Sequence, residues 1–455
     1  MNRSAVVISW AVVAALASVA WGVPYASTVV QSGSDVSFIL NEGADSVIVK
    51  LDGGASTLDL GALGKGTHGV NIGGAGSFEI LVSKASAPGW VQISSDADTG
   101  SKYYSPKGVA VNQNAAGANF GRIYVGEGLG GPVGAGGRTT TDGLYIMGAD
   151  QSDITSQGDT AHGGGIDWSA SSNSPFRLAV APDDNVYIAD WSDGHSGVWR
   201  SGPSGAGGFD QMLANETNVN DGSGGLFDNH GSVAGVWVDG TGGDTKLYTI
   251  DEDFPNRGDV LRYDVGTDTM YAGAPAQQTQ DGTNIILNGR MDLVRDDDGS
   301  WWVTQYRFTE SPAAPSLTRF LDGGTEPVYI SAEDGDLPLL MANYGSVDIH
   351  NGLDLLAMGA RSGYGVYIID ISDPANPVLL DTVAQNGYTQ DVAFDAAGNL
   401  YVVSSSSETL RIWSPGGNTL ASTGSDGSFS VIPEPATMGL LALGGLALLR
   451  RRRLA

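Results

Sequence analysis

Apolar and polar residues alternate with a period of two through most of this chain, a pattern that predicts β-strands. The alternation recurs in six units, each with an apolar strand, a turn rich in Asp, Asn and Gly, and a second apolar strand containing an aromatic residue. Because one face of each hairpin is apolar, each unit needs a neighbour to cover it. The units begin at Gly108, Arg177, Ala234, Arg290, Ser346 and Gln390.

The spacing of the units, about 45 to 70 residues from one start to the next, fits propeller blades with loop insertions. The sequence therefore predicts an all-β protein with a six-bladed β-propeller over residues 100–420. A seven-bladed propeller and a β-sandwich or β-solenoid array are the alternatives. The last blade of a propeller is usually closed by a strand from the other end of the domain. Either residues 416–430 or a segment before Lys107 could supply that strand.

Two further segments differ from the blades. Residues 27–95 alternate over shorter runs between Gly-rich turns, which predicts a small β-sandwich module, with a seventh blade as the alternative. Residues 422–430 are dominated by Ser, Gly and Asp, so we expect a flexible tether over 421–432.

Both ends of the chain read as targeting segments. Residues 1–26 contain Arg3, an apolar stretch from Ala5 to Ala20 and then small residues, which predicts a signal peptide; a permanent membrane anchor is the alternative. At the other end, residues 436–449 are apolar and span only about 20 Å as a helix, against about 30 Å for a hydrocarbon core. The arginines after them stay on the cytoplasmic side by the positive-inside rule. We therefore expect a short apolar helix at each terminus and an exported body between them.

The C-terminal segment 433–455 resembles the PEP-CTERM sorting signal of Gram-negative bacteria. The resemblance lies in a Pro-Glu-Pro triplet, a short apolar helix and a terminal arginine cluster, in that order. It implies recognition by the membrane enzyme exosortase, removal of the tail near the triplet, and a bacterium that makes extracellular polysaccharide. The residues concerned are Pro433, Glu434, Pro435, Arg450, Arg451, Arg452 and Arg453.

The body of the chain carries two broader resemblances. The unit DVAFDAAGNLYVVSSSSETLRIWSPGG resembles the NHL-type propellers, which implies a six- or seven-bladed fold. The stretches LDLGALGKGTHGV and FEILVSKAS resemble the immunoglobulin-like module of flagellar hook-capping proteins. That family usually has a Trp-Asp-Gly turn where this chain has NIGGAGSF.

Composition narrows the functional classes. The 455 residues include 23 Lys plus Arg against 51 Asp plus Glu, a formal net charge of −28. Such a chain repels polyanions, and the basic residues of its body are scattered, so nucleic acid is excluded as a partner. The absence of cysteine excludes disulfides, thiolate catalysis and Cys-ligated zinc.

Candidate chemistry in the body is sparse. The histidines are His68, His162, His195, His230 and His350, with no close pair typical of metal ligands. His162, His195 and His230 fall in predicted loops, where a three-histidine site is conceivable but turn histidines are far commoner. Of the acidic clusters, Asp183–Asp184 and Asp296–Asp298 fit turn chemistry. Asp251, Glu252 and Asp253, just after a strand, are weak calcium candidates, and no other cofactor is expected.

These observations favour a non-enzymatic binding or matrix protein of the envelope or extracellular space, associated with extracellular polysaccharide. Leader peptidase and exosortase are the expected processing partners, a glycan or envelope protein is the expected ligand, and the inner membrane is contacted transiently. The alternative is a polysaccharide hydrolase or lyase that uses carboxylates at the channel mouth. The tryptophans are expected in the core, with sugar stacking at a rim as the rival role.

Overall fold

The computed structural model describes residues 24–86, 89–134, 138–152, 168, 174–191, 197–205, 208–213, 233–251, 260–273, 276–278, 290–305, 316–324, 326–331, 337, 344–360, 364–385 and 387–433. The fold is all-β, as predicted. The 3₁₀ turns whose bounds are defined within these ranges are Asp52–Gly54, Thr99–Ser101, Gly242–Asp244 and Asn351–Leu353, and Trp168 also has 3₁₀ geometry.

The N-terminal part forms six strands, in which buried and exposed residues alternate as the sequence pattern requires. In the third strand, for example, Val47 and Val49 are fully buried while Lys50 is partly exposed. The strands are β1 (Ala26–Ser32), β2 (Asp35–Leu40), β3 (Ala44–Leu51), β4 (Ser56–Leu63), β5 (Gly66–Asn71) and β6 (Phe78–Ala85).

The middle of the chain forms the propeller. Its strands are β7 (Trp90–Gln92), β8 (Pro106–Val111), β9 (Ile123–Glu127), β10 (Gly131–Pro132), β11 (Thr139–Thr140), β12 (Gly143–Met147), β13 (Arg177–Val180), β14 (Val186–Asp190), β15 (Gly197–Ser201), β16 (Phe209–Leu213), β17 (Val233–Asp239), β18 (Lys246–Asp251), β19 (Val260–Tyr263), β20 (Ala276–Gln277), β21 (Arg290–Arg295), β22 (Trp301–Gln305), β23 (Leu317–Phe320), β24 (Pro327–Ile330), β25 (Tyr344–His350), β26 (Leu355–Ala360), β27 (Val366–Asp370), β28 (Val378–Val383), β29 (Thr389–Phe394), β30 (Leu400–Ser404) and β31 (Thr409–Pro415).

These strands build six antiparallel sheets, which we call blades 1 to 6. Blade 1 contains β8, β9 and β12, with the small β10–β11 hairpin beside it. Blades 2 to 5 contain β13–β16, β17–β20, β21–β24 and β25–β28, and blade 6 contains β29–β31 together with β7. The first strand of each blade contacts the first strand of the next, and β29 contacts β8, so the ring is closed.

The closing strand of the propeller comes from before Lys107, one of the two sources that the sequence left open. Strand β7 pairs with β31, where Gln92 lies opposite Trp413. Asp96, just after β7, also accepts a hydrogen bond of 2.7 Å from Arg411 Nη2. The propeller therefore begins at Trp90, and the predicted module boundary at residue 95 is too late.

The predicted tether over 421–432 is wrong. These residues lie mainly in two strands, β32 (Asn418–Gly424) and β33 (Phe429–Pro433). Strand β32 pairs with β6 and β33 pairs with β32, which makes a five-stranded sheet of order β33-β32-β6-β3-β4. Small residues and hydroxyls suit a closely packed strand: Ala421 is fully buried, and Thr423 Oγ1 donates to Ala26 O at 2.9 Å.

The sandwich therefore contains residues from both ends of the described chain. Its second sheet has the order β1-β2-β5, and the two sheets enclose a common apolar core. The propeller ends at Pro415, just short of the predicted boundary at residue 420.

The sandwich packs against turns of blades 1 and 6. Tyr25, Phe120 and Phe429 form an aromatic cluster, with ring centroids 5.3 Å apart for Tyr25 and Phe120 and 5.1 Å apart for Phe120 and Phe429. Buried Ala397 and Ala421 complete this interface. Its apolar contacts join the two units into one body.

Between the blades, aromatic and aliphatic side chains fill the core. Trp301 and Trp302 are fully buried, and Trp302 packs edge-on against Tyr329 at 5.7 Å between ring centroids. Within the described ranges no helix is long and apolar enough to cross a membrane. The predicted terminal helices lie outside those ranges.

Candidate functional site

The wall of the central channel is formed by the first strands of the six blades, β8, β13, β17, β21, β25 and β29. Each of them is an edge strand of its sheet, so backbone N–H and C=O groups face the channel and need partners there. In five of the six strands the pairing register shifts near the start, as at Arg290 and Asp292 or at Thr389 and Asp391. A shift of this kind, a β-bulge, changes the direction in which the next side chain of the strand points.

Arg177, at the start of β13, crosses the channel. Its Nη1 donates to Lys107 O in β8 of blade 1 at 3.1 Å. The same nitrogen donates to Gln390 O in β29 of blade 6. Its Nη2 donates to Gly345 O in blade 5. One side chain from blade 2, only 2% exposed, thus ties together backbone groups of three other blades.

Two carboxylates neutralise this guanidinium. Arg177 Nε lies 3.3 Å from Asp292 Oδ2 of blade 4, and Nη1 lies 3.4 Å from Asp391 Oδ1 of blade 6. Both aspartates are buried. An ion pair of this kind tolerates burial only because backbone hydrogen bonds satisfy the remaining atoms.

Each channel carboxylate also accepts an N–H of the first strand in the next blade around the ring. This pattern satisfies edge-strand donors that would otherwise be unpaired. The three bonds are Val347 N to Asp292 Oδ2 at 3.1 Å, Phe394 N to Asp348 Oδ2 at 2.6 Å, and Val109 N to Asp391 Oδ2 at 2.8 Å. We call Arg177, Asp292, Asp348 and Asp391 the channel clamp.

Burial has the largest effect on the pKa values of the three clamp carboxylates. It raises the pKa of Asp348 to about 7, against which the N–H of Phe394 acts in the opposite direction. Burial also raises the pKa values of Asp292 and Asp391, and the positive charge of Arg177 partly offsets both shifts. The clamp therefore sits where charge is costly, and Arg177 supplies the compensating charge.

A cavity of about 440 Å³ extends from the clamp to the turns that follow the first strands. Its walls are mainly aliphatic, and its turn side is lined by Gln113, Asn114, Asp239 and Asn351. The volume is in the range of small-molecule sites, about 300–1,000 Å³. His350 lies in this wall; its Nε2 is 3.2 Å from Ala396 O, and burial lowers its pKa.

The predicted candidates fall in several places. His162, His195 and His230 lie outside the described residues, as do Glu252 and Asp253. The backbone of Asp251 ends β18. Across the part of the chain that the structure describes, no group of three His, Asp or Glu side chains is placed to hold a metal ion. The calcium site stays a prediction.

The remaining candidates have structural settings. His68 lies on β5 of the sandwich, with Nε2 2.7 Å from Gly64 O. Asp184 accepts amide hydrogen bonds from Asn112, Asn114 and Asn119, between 2.7 and 3.0 Å, and so joins the turns of blades 1 and 2. In the blade 4 turn, Asp296 Oδ2 accepts from Trp302 Nε1 at 3.1 Å.

Sequence reasoning did not single out the channel clamp. The signal was present, because each clamp residue is a charge next to apolar residues in a first strand, as in RLAV, RMDLV, SVDIH and QDVAF. Reading the six units as one alignment, with the charges marked, would have found them.

Six blades around a clamped channel and a sandwich whose last strand ends at Pro433 define a β-propeller protein with an attached sandwich. Residues 431–453 match the PEP-CTERM protein-sorting motif, which confirms the resemblance of the C-terminus. The motif implies export to the cell envelope or extracellular space and processing by an exosortase. Pro433 is the last residue of β33; Glu434, Pro435 and Arg450–Arg453 lie outside the described residues.

Solved structures with similar folds include proteins of different kinds. An auxiliary nutrient binding protein from Bacteroides thetaiotaomicron is 10% identical, covers 84% of this chain and 94% of its own, and has a TM-score of 0.43. Virginiamycin B lyase from Staphylococcus aureus is 10% identical, covers 76% and 88%, and scores 0.38. A glucose dehydrogenase is 11% identical, covers 72% and 99%, and scores 0.46.

No curated protein matches the chain in sequence. The structural likenesses are too distant to assign a ligand or a reaction, and the propeller is identified from the topology of its own sheets.

Proposed function

We propose that this chain is a non-enzymatic binding or matrix protein of the Gram-negative cell surface, associated with extracellular polysaccharide. The sorting motif over residues 431–453 supports delivery to that location. The chain as a whole has a formal net charge of −28, which favours a protein that stays soluble and monomeric there.

The observation that carries the non-enzymatic part is the engagement of the channel carboxylates. Asp292 and Asp391 are only 5% and 3% exposed, and each accepts a backbone N–H from the next blade while pairing with Arg177. A glycosidase needs two carboxylates that can reach the scissile bond from a solvent-accessible site. The geometry favours a role for these groups in closing the ring.

One observation favours the alternative, a hydrolase or lyase. Asp348 lines the channel cavity, and burial raises its pKa to about 7, which would suit a general acid or base near neutral pH. However, Asp348 Oδ2 accepts a hydrogen bond from Phe394 N at 2.6 Å, so this carboxylate also has a structural role in joining blades 5 and 6.

The test uses the mature protein purified from a producing cell and the extracellular polysaccharide of the same strain. We expect co-sedimentation of protein with polysaccharide and no increase in reducing ends or unsaturated sugar products over long incubation. Time-dependent release of such products, abolished in a folded Asp348→Asn variant, would replace the binding function with the enzymatic one.

A further inference from the structure

Two aromatic side chains stand out on the surface of the propeller. Tyr364 is 60% exposed and Tyr388 is 53% exposed, whereas the large aromatic side chains of the core are buried. Among the described residues, they are the two aromatics that leave more than half of their area in solvent. An exposed tyrosine offers a ligand both an apolar ring face and a hydroxyl that can hydrogen-bond.

The two tyrosines lie on the same rim of the ring. Tyr364 precedes β27 of blade 5, and Tyr388 directly precedes β29 of blade 6. Successive strands are antiparallel, so the starts of β27 and β29 lie at the same end of the propeller. A β-carbon at Gly365 would lie 3.1 Å from Gln385 N, and Gln385 is three residues from Tyr388, so the two tyrosines belong to neighbouring backbone segments of the rim.

A row of neutral hydroxyl groups adjoins Tyr388. The turn between β30 and β31 contains four consecutive serines, Ser404 to Ser407. Ser406 Oγ accepts from Tyr388 N at 2.7 Å and lies 3.3 Å from Ser404 Oγ. Gln390 Nε2 donates to Ser405 Oγ at 2.7 Å. These bonds hold the hydroxyls in place before any ligand arrives.

The charged residue of this turn is directed elsewhere. Glu408 Oε2 accepts from Gly134 N at 2.5 Å and so faces blade 1. The side chains of Tyr364, Tyr388, Gln390 and the serines are uncharged, while Lys102, whose backbone pairs with Thr409, lies beside the turn. On a molecule whose formal net charge is −28, a group of uncharged side chains is suited to a ligand that is itself uncharged, because the surrounding field repels anions.

We propose that Tyr364, Tyr388 and the accessible serines 405–407 of the turn form a binding site for a neutral polysaccharide chain. The C–H face of a pyranose ring packs on the negatively polarised face of a tyrosine, and sugar hydroxyls exchange hydrogen bonds with serine hydroxyls. Two tyrosines in series hold successive parts of one chain. This inference rests on the proposed polysaccharide-binding function and names its site.

The test measures binding of the mature protein to dextran and mixed-linkage β-glucan, as neutral probes, and to alginate, as an anionic probe, by affinity electrophoresis. The test variant is Tyr364→Ala/Tyr388→Ala, and Tyr364→Phe/Tyr388→Phe keeps the rings. Met270→Ala/Leu321→Ala is the matched control, because Met270 and Leu321 are 57% and 49% exposed elsewhere on the propeller.

We expect the wild type to bind a neutral probe, the alanine pair to bind about tenfold more weakly, and the phenylalanine and control pairs to be unchanged. Equal binding by wild type and alanine pair would overturn this site while leaving the polysaccharide function standing. Binding to alginate alone would overturn the neutral-ligand assignment. Failure of the wild type to bind any of these probes or its own strain's polysaccharide would remove the proposed function itself.

Discussion

At the scale of single residues, Arg177 connects blade 2 to several other blades of the propeller. It bonds backbone carbonyls in three other blades and pairs with Asp292 and Asp391, while only 2% of it is exposed. Removing one partner of a buried pair leaves an uncompensated charge.

We expect Arg177→Ala to lower the free energy of unfolding by about 3–5 kcal/mol, measured by urea denaturation of the mature protein. Arg177→Lys keeps the charge but loses the planar fork, so it should fall between alanine and wild type. A loss below about 0.5 kcal/mol, the range of ordinary surface changes, would show that the clamp does not hold the ring.

Asp348 makes stability depend on pH. Its pKa rises from 3.8 to about 7 on folding because of burial, so between these values the folded protein retains a proton that the unfolded chain has released. The free energy of unfolding therefore decreases as pH rises through this window and levels off above it.

The Asp348→Asn variant keeps an acceptor for Phe394 N but cannot ionise. We expect it to be more stable than wild type at pH 8, by about 1–3 kcal/mol, and equal to it near pH 4, measured by denaturation at both pH values. Equal stability at pH 8 would mean that Asp348 is not penalised when charged.

The channel clamp is a part of the structure that was not predicted from the sequence. Each of its charges lies in a short apolar strand, and nothing local distinguishes a buried, bridging Asp391 from the turn aspartates nearby. The distinction depends on Val109, some 280 positions away along the chain, whose N–H it accepts. A period of two predicts a strand but carries no information on its partner.

At the scale of elements, the sequence pattern predicted the blades but not the strands that follow the propeller, again because it carries no information on strand partners. Six units with alternating strands predicted six blades, and six of the nine sheets in the described residues are blades of the propeller. The segment 421–432 was predicted as a tether from its Ser and Gly content, yet most of it lies in β32 and β33. Hydroxyl and small side chains are compatible with a tether and with a tightly packed strand, and the decisive partner, β6, lies far away in sequence.

A proline substitution distinguishes a packed strand from a flexible tether in this segment. Ala421 lies in β32, opposite Val82 and Val431, in the interior of a five-stranded sheet. We expect Ala421→Pro to destabilise the sandwich by about 3 kcal/mol or more, because proline removes a ladder hydrogen bond.

Limited proteolysis followed by mass spectrometry would show new cleavage in residues 24–86 of this variant. Ala421→Ser, which keeps the backbone N–H, is the matched control. If the proline variant is as resistant to protease as the serine variant, the segment is a tether and not a strand of the sandwich.

At the scale of the whole molecule, the sandwich unites both ends of the exported body. Strand β1 begins at Ala26, the last residue of the predicted signal peptide, and β33 ends at Pro433, the first residue of the triplet. The sorting motif overlaps the final strand, since it matches from residue 431. Processing near the triplet would therefore leave the sandwich complete, with no spacer between fold and signal.

Mass spectrometry of the protein isolated from a producing cell tests the central claim, export with processing at both ends. We expect a chain that begins between residues 23 and 27 and ends close to Pro433, Glu434 or Pro435, so that β33 is retained and Arg450–Arg453 are lost. Recovery of the intact chain from the cytosol, with Met1 and the four arginines still present, would contradict the account.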